Sequence, residues 1–350
     1  MSASLLAGLI FACPCFGQSE PLMFAHFIDV GQANATLLEF PCGAVLIDAG
    51  AADTADVSAL INYLEAFFDR RTDLSRTLDL VLITHNHIDH TSALRAVAET
   101  FAIKGYVDNG QLEGPGTANP KWIRENAETG GRDIAVRVVA DAEITALPDR
   151  TGLSDAVIDP IDCGDCDPEI RILSGRLDEN PGWSAEEFDN KNNQSLVTRV
   201  DFGGSSFLFT GDLETDAIGT LLLWYEGSDL LDADVYEVGH HGSHTGTTED
   251  LLAAVTPEVA VISCGVWDDG RNTSSKLTTY AYGHPRRVVL EMLSHSIPSN
   301  RSASLTVKAG EGAKKFGDYR VRKRIYCTGW DGTVKIRASL NGSLYITRNN

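Results

Sequence analysis

The sequence predicts a mixed α/β fold, because short apolar strands alternate with amphipathic helices and several strands end in polar turns. With 350 residues, of which 43% are hydrophobic and 22% charged, the chain can bury a substantial core and is not compositionally disordered. Residues 80–83 form a continuous apolar run, which is typical of a strand buried on both faces. Residues 53–70 repeat apolar side chains at helical spacing, which predicts an amphipathic helix.

The same two periodicities predict the remaining elements. Strands are predicted at 24–30, 35–40, 44–47, 80–83, 195–200, 206–209, 233–238 and 259–263. Helices are predicted at 53–70, 91–98 and around 288–293. Between 105 and 190, Gly, Pro, Asp and Asn dominate and apolar runs are few, so we expect an insertion or long loops over the functional site.

The most informative segment lies directly behind the buried strand at 80–83. His85, His87, Asp89 and His90 place potential metal ligands within six residues, in a short turn between a strand and a helix. Alternate residues of an extended turn project the same way, so His85 and His87 are predicted to bind one ion while Asp89 and His90 face the other side. Imidazole and carboxylate ligands suit zinc or a neighbouring divalent metal. Solvated loop residues are the disfavoured alternative.

Two further strand ends carry the same chemistry. Asp212 follows the strand at 206–209, and its two carboxylate oxygens can bridge two cations; an aspartate that caps the next helix is the alternative. Three histidines follow the strand at 233–238, and we expect His241 to bind metal and His240 to act in catalysis or contact substrate. His284, before Pro285, is a candidate to protonate a leaving oxygen or bind phosphate, with a turn cap as the alternative.

A hydrolytic mechanism follows from two cations that share Asp212. Such a pair would hold a bridging hydroxide, lower its pKa toward neutrality and polarise the electrophile of the substrate. Asp89 is expected to orient the water as well as bind metal. Asp48, at the end of the strand at 44–47, is expected to fix the tautomer of a ligand histidine. We therefore predict two divalent metal ions, zinc first and manganese as the alternative.

Taken in order, the motifs at 85–90, 210–212 and 240–243 resemble those of the metallo-β-lactamase superfamily. More narrowly, residues 27–32 (Phe-Ile-Asp-Val-Gly-Gln), 192–197, 240–243 and 282–285 resemble the hydrolase domain of the DNA-uptake channel protein ComEC and its free-standing relatives. The resemblance covers about residues 24–295. It implies an αβ/βα sandwich of two mixed β-sheets flanked by helices, with the site at one edge. No stretch is apolar over the roughly 20 residues of a membrane-spanning helix, so we expect no transmembrane segment.

Two positions bear on the resemblance. Many superfamily members carry a further histidine for the first metal where this chain has Asn193. An amide oxygen is a weak ligand, so we expect Asn193 beside the site and the first metal held by His85, His87 and Asp212 only. Relatives that reduce oxygen at a di-iron site carry a carboxylate at position 87, and His87 therefore favours hydrolysis.

The resemblance makes a phosphodiester, small or polymeric, the first choice of substrate. A β-lactam, lactone or carboxylic ester cut at the same site is the alternative, and a catalytically inactive binding module is the second. Residues 301–350 contain 11 Lys and Arg against 3 Asp and Glu, a net charge of +8, whereas residues 1–300 contain 18 against 46, a net charge of −28. Cations alternate at 320–326 and 334–337, which predicts basic strands that bind nucleic acid or pair with the acidic body.

The chain is expected to divide into a signal peptide at 1–22, the hydrolase domain at 23–298 and a basic β-rich extension at 299–350. Residues 5–17 are apolar and end in small residues, which predicts a secreted or periplasmic protein; if Met23 is the true start, the protein is cytoplasmic. Cys163 and Cys166 have the spacing of a redox or metal pair, but no second pair matches, so a local disulfide or two free thiols is favoured. Oligomeric state has no signal in the sequence.

Overall fold

The computed structural model describes residues 20–129, 131–268 and 277–348, and its framework is a pair of mixed β-sheets. In chain order the strands are β1 (Leu22–Phe27), β2 (Thr36–Glu39), β3 (Ala44–Ile47), β4 (Thr77–Leu82), β5 (Ala102–Asp108), β6 (Ala135–Val138), β7 (Glu169–Ser174), β8 (Val197–Phe202), β9 (Ser205–Phe209), β10 (Val235–Glu237), β11 (Val259–Ile262), β12 (Asn300–Gly312), β13 (Lys315–Lys323), β14 (Ile325–Cys327), β15 (Val334–Ser339) and β16 (Leu344–Arg348). Residues 1–19 of the predicted signal peptide lie outside the described residues.

Helices cover the outer faces of both sheets. In chain order they are α1 (Thr54–Arg70), α2 (Ile88–Thr91), α3 (Leu94–Thr100), α4 (Ala118–Thr129), α5 (Asp141–Thr145), α6 (Ala185–Asp189), α7 (Thr215–Trp224), α8 (Glu249–Val255), α9 (Thr279–Tyr282), α10 (Arg287–Ser296) and α11 (Thr328–Asp331). Among the described residues, none of these helices has both the length and the apolar character needed to cross a membrane.

The first sheet has the strand order β16-β15-β1-β2-β3-β4-β5-β6. Strands β3 to β6 are parallel to one another, so their carboxyl ends point to the same edge of the sheet. Strand β3 is apolar and fully buried. Strand β4 is buried from its second residue onward and is mostly apolar, with Asp79 as its one acidic residue, which is close to the pattern expected of parallel strands. The turns that follow β3 and β4 therefore lie side by side at this edge.

The second sheet has the strand order β14-β11-β10-β9-β8-β7, and β9, β10, β11 and β14 are parallel. Its inner face packs on the inner face of the first sheet, where the rings of Phe27 and Phe209 stack with centroids 6.3 Å apart. Separate apolar clusters join the outer faces to the helices, with α1 and α3 on the first sheet and α7, α8 and α10 on the second. This arrangement confirms the predicted sandwich of two mixed sheets flanked by helices.

Residues 105–190 differ from the loops that the sequence predicts. They contribute most of β5 together with β6 to the first sheet and β7 to the second, with α4 and α5 between them. The strands were missed because β6 is a short edge strand whose residues are partly or fully exposed, so it lacks a strong alternation of apolar and polar side chains. One part of the segment does lie against the predicted site, since the Asn86 amide donates to the backbone oxygen of Gln111.

The described part of the predicted β-rich extension, residues 299–348, completes both sheets. Strand β15 pairs with β1 along its whole length, and its alternate residues Val334, Ile336 and Ala338 are buried in the core between the sheets. Strand β14 adds to the edge of the second sheet, while β12 and β13 form a separate hairpin that packs on α10. The basic residues are therefore distributed over separate surfaces.

The cysteine pairing expected from spacing is wrong. Cys42, in the turn between β2 and β3, forms a disulfide with Cys163, which lies 121 residues further along the chain. Cys264 and Cys327 form a second disulfide between the ends of β11 and β14. Cys166 is free. Both bridges are long-range, so the local spacing of Cys163 and Cys166 could not indicate them. Structural disulfides are typical of oxidising compartments, but export itself stays a prediction.

Candidate metal centre

The candidate site lies where strand ends from the two sheets meet. From the first sheet, β4 leads into the turn at 84–87 and helix α2, which carry the histidine-rich motif. From the second sheet, β9 leads into Thr210-Gly211-Asp212, and β10 leads into a short helical turn, Gly239–Gly242. The core between the sheets holds these turns against one another.

Asp212 is the residue that the surrounding histidines share. Its Oδ1 lies 3.1 Å from Nε2 of His90, while its Oδ2 lies 3.7 Å from Nε2 of His241 and 4.0 Å from Nε2 of His85. The carboxylate is almost fully buried, with 3% of the residue exposed. It belongs to two sets of metal-binding side chains: the His85 group (His85, His87, Asp212) and the His90 group (Asp89, His90, Asp212, His241).

The donor atoms of both groups fit metal ions. Within each group, one ligand-capable atom from every residue lies within 4.8 Å of the others. The Nε2 atoms of His85, His90 and His241 are buried and have no hydrogen-bond partner, although a buried imidazole nitrogen normally has one. One divalent cation at each group would satisfy these nitrogens, His85 in one group and His90 and His241 in the other. The cluster is therefore compatible with a dinuclear metal site.

The other ring nitrogen of each histidine in the His90 group is held by an oxygen acceptor. His90 Nδ1 donates to the Asp48 carboxylate over 2.6 Å, and His241 Nδ1 donates to the backbone oxygen of Ser263 over 2.7 Å. Asp48 is itself fixed, because it accepts hydrogen bonds from the backbone N–H and the hydroxyl of Thr84. These bonds hold a proton on Nδ1 of each ring and turn Nε2 toward Asp212.

Electrostatics keep the central carboxylate charged in spite of its burial. Burial alone would raise the pKa of Asp212, but the nearby His90, His241 and His240 hold this pKa well below its usual range. Burial lowers the pKa of His85 well below its ordinary value, so that ring is neutral, as a metal ligand must be. Burial also acts to lower the pKa of His90, but the Asp212 and Asp48 carboxylates raise it above the ordinary value. A metal ion at the His90 group must therefore displace a proton.

Backbone conformation also positions the site. His240 and His241 have φ angles of 51° and 52°, a left-handed conformation that is costly for residues with a side chain. Gly50, after β3, packs directly on the metal-binding turn: a Cβ at this position would lie 1.6 Å from the backbone oxygen of Asp89. Only glycine permits this approach of the two backbones.

His240 and His284 lie at the more open side of the Asp212 cluster. The Nε2 of His240 is 3.7 Å from Asp212, its side chain is 21% exposed, and its ring centroid is 5.5 Å from that of His284. Burial lowers the pKa of His284 well below the ordinary value. The ring is therefore neutral, and its role in protonating a leaving oxygen or binding phosphate stays a prediction.

Asn193 reaches the cluster only indirectly. Its amide donates to Glu187, and its oxygen accepts from the backbone N–H of Glu214. Its neighbour Asn192 is closer, with its amide nitrogen 3.5 Å from Nε2 of His240 and 2.7 Å from the Glu214 carboxylate. The sequence motif at 192–197 indicated this turn, but only the three-dimensional structure shows which of the two side chains faces the histidines.

Other site residues had no assignment from sequence. Asn34 donates to Asp48 over 3.1 Å, and the buried Glu237 lies next to it. Tyr282 is half-exposed beside His284, with ring centroids 5.9 Å apart. Asn34 and Tyr282 lie in or next to motifs that carry the family resemblance, which was the only available signal. Glu237 ends a strand and looked like an ordinary strand residue.

An αβ/βα sandwich with a shared carboxylate between two histidine groups defines a class of metal-dependent hydrolases. The family model described as the metallo-β-lactamase superfamily matches residues 28–266. The chain belongs to the metallo-β-lactamase superfamily, and the predicted enzyme class, a metal-dependent hydrolase, is confirmed at that level.

Similar proteins include competence and recombination proteins. The chain is 26% identical over 308 residues to ComE operon protein 3 of Bacillus subtilis, covering 83% of this chain and 32% of that protein. It is 27% identical over 261 residues to Recombination protein 2 of Haemophilus influenzae, covering 74% of this chain and 26% of that protein. The chain thus spans about a third or less of these relatives, and the predicted resemblance to ComEC-type domains is confirmed. Among solved structures, human tRNase Z, short form, matches with a TM-score of 0.37 and 15% identity, covering 69% of this chain and 91% of that chain.

We predict that Gly50→Ala lowers zinc affinity by at least about tenfold, because the added methyl group must displace the turn that carries Asp89. Zinc content after dialysis against graded chelator concentrations measures the effect. Gly219→Ala is the matched control, since nothing lies within 4 Å of its added Cβ in α7. Equal zinc affinity in the two variants would contradict the role given to Gly50.

Proposed function

We propose that the protein is a zinc-dependent phosphodiesterase of the nuclease-like type. The observation that carries this proposal is the buried Asp212 carboxylate common to the His85 group and the His90 group. Paired metal ions that share a carboxylate are typical of phosphatases and nucleases, where they stabilise both the attacking and the leaving oxygen. The similarity to competence and recombination proteins supports a phosphodiester as substrate. Histidine-rich ligands favour zinc, with manganese as the alternative.

Each type of side chain at the site has a distinct part in this proposal. The His85 group and the His90 group would hold one divalent cation each, and such cations supply a hydrolytic nucleophile at neutral pH and polarise the phosphorus centre. Asp89, which is partly exposed and 3.5 Å from Nε2 of His241, would orient the attacking water as well as bind metal. His240 and His284 are placed to hydrogen-bond phosphate oxygens at the open side.

The hairpin of β12 and β13 offers a surface for a polymeric substrate. Its inner face packs on α10, while Arg320 and Arg322 are exposed on its outer face. Neither arginine pairs with an acidic side chain among the described residues; Arg320 bonds only the Ser304 hydroxyl. The far end of the hairpin touches the segment that carries His284, since Lys314 N–H donates to the backbone oxygen of Tyr280. A nucleic acid bound along the outer face would therefore lead toward the site.

A lactam, lactone or carboxylic ester is the alternative substrate, because the same metal ions would activate water against a carbonyl carbon. An inactive binding module is the second alternative. The unpartnered Nε2 atoms of His85, His90 and His241 speak against it, since a decayed site has no reason to keep three buried imidazole nitrogens around one carboxylate.

Asp212→Asn is expected to lower kcat/KM for bis(p-nitrophenyl) phosphate by at least about 100-fold, because an amide cannot serve both metals as a charged bridge. Metal-loaded protein is assayed on this ester, on plasmid DNA and on nitrocefin. Asp69→Asn, an exposed substitution in α1, is the control and should retain wild-type activity. Turnover of nitrocefin alone would favour the alternative substrate class, and a reconstituted wild-type protein without bound metal would favour the inactive module.

We further predict that Arg320→Ala/Arg322→Ala weakens DNA binding and reduces the slope of log K against log salt by about 2, since each lost phosphate contact removes about one released counterion. Turnover of bis(p-nitrophenyl) phosphate should not change. Lys335→Ala/Arg337→Ala removes the same charge from β15 and is the matched control. Equal loss of binding in both double variants would show a general charge effect and contradict the assignment to the hairpin.

A further inference from the structure

Glu237 is a buried carboxylate that belongs to neither metal group. It is the last residue of β10, and only 5% of it is exposed. Its Oε1 accepts hydrogen bonds from the hydroxyls of Thr36 and Ser263, each over 3.0 Å. Its Oε2 accepts from the amide of Asn34 over 3.4 Å. Thr36 and Asn34 come from the first sheet and its adjoining loop, whereas Ser263 follows β11 of the second sheet, so Glu237 links the two sheets.

Two of these partners lead directly to the histidines of the His90 group. Ser263 holds His241, because its backbone oxygen accepts from His241 Nδ1. Asn34 donates from the same amide nitrogen to Glu237 and to Asp48, and Asp48 accepts from His90 Nδ1. One carboxylate thus connects, through one chain of bonds on each side, the two histidines that face Asp212 in the His90 group.

A buried carboxylate is unfavourable at this position unless hydrogen-bond donors compensate its charge. Burial, together with the charge of Asp48, raises the pKa of Glu237 to about 7. All its hydrogen-bond partners donate to it, so both oxygens of the Glu237 side chain must be acceptors. A glutamine of the same shape would turn an N–H donor toward one of these donors.

We propose that Glu237 is a positioning residue for the His90 group: by holding Ser263 and Asn34 together, it sets the separation of His241 and His90 so that both can bind one metal ion with Asp212. This inference rests on the proposed metal-dependent function. The effect should be selective, because Glu237 reaches His241 and His90 through Ser263 and Asn34, whereas His85 is reached only by a further step, from Asp48 to the Thr84 hydroxyl that lies 3.2 Å from His85 Nδ1. Loss of Glu237 should therefore weaken one of the two metal sites and spare the other.

The test measures cobalt(II) binding to Glu237→Gln. The metal is titrated into the protein, and the visible absorption of the bound metal is recorded. We expect the affinity for one cobalt ion to fall by about 10- to 100-fold, the range typical of groups that orient metal ligands, while the other keeps its affinity. Glu39→Gln is the matched control: Glu39 is also a buried glutamate, but its partners are His26, Arg70 and Arg71. It should lose stability without a change in cobalt affinity or spectrum.

Asn34→Ala provides a second variant in case Glu237→Gln does not fold. It cuts the chain to Asp48 and His90 but leaves the bond between Glu237 and Ser263. Its effect on the weakened site should be smaller, and the double variant should lose less affinity than the two single losses combined. Wild-type affinities for both cobalt ions in Glu237→Gln and in Asn34→Ala, or equal losses in Glu237→Gln and Glu39→Gln, would overturn the inference.

The outcomes separate this inference from the proposed function. A wild-type protein that binds two cobalt ions without hydrolysing phosphodiesters would contradict the substrate proposal alone, because the selective loss in Glu237→Gln could still be measured. A wild-type protein that binds no cobalt would overturn both.

Discussion

The structure depends on one buried carboxylate, Asp212, placed between histidines from two different sheets. An isolated buried charge of this kind would be strongly destabilising, and the surrounding imidazoles offset the cost by holding the pKa of Asp212 low. The arrangement requires the carboxyl ends of β4, β9 and β10 to meet, because each delivers part of the cluster. The sandwich of two mixed sheets is the architecture that brings these strand ends together around a common core.

The supporting bonds explain how so many polar groups are tolerated in a buried place. In His90 and His241, Nδ1 donates to a fixed oxygen acceptor. Only Nε2, the nitrogen that faces the proposed metal, is left without a hydrogen-bond partner. Gly50 allows the turn carrying Asp89 to approach the end of β3, while the left-handed backbone at His240 and His241 accompanies the placement of both rings 3.7 Å from Asp212. Backbone strain and a close backbone contact thus both occur at the site, as is common where geometry serves function.

Local sequence patterns predicted much of the candidate metal centre. Residues within a few positions of one another, such as His85 to His90, are held together by the chain itself, so their motif indicated both the turn and its chemistry. Asp48 was predictable as an orienting group because it ends a neighbouring strand. Residues whose partners are distant in sequence were not: the pairing of β15 with β1, the disulfide between Cys42 and Cys163, and the contact of Glu237 with Asn34 depend on topology, which periodicity does not encode. The strand at 135–138 was missed because an exposed edge strand lacks the apolar signal.

The most direct measurement is an anomalous-difference map from crystals grown with zinc, with data collected on both sides of the zinc absorption edge. Two peaks about 3.5–4 Å apart are predicted, each at about 2.0–2.2 Å from a different oxygen of Asp212. One of them should contact His85 and His87, and the other Asp89, His90 and His241. A single peak, or two peaks of which only one contacts Asp212, would contradict a dinuclear centre built on the shared carboxylate.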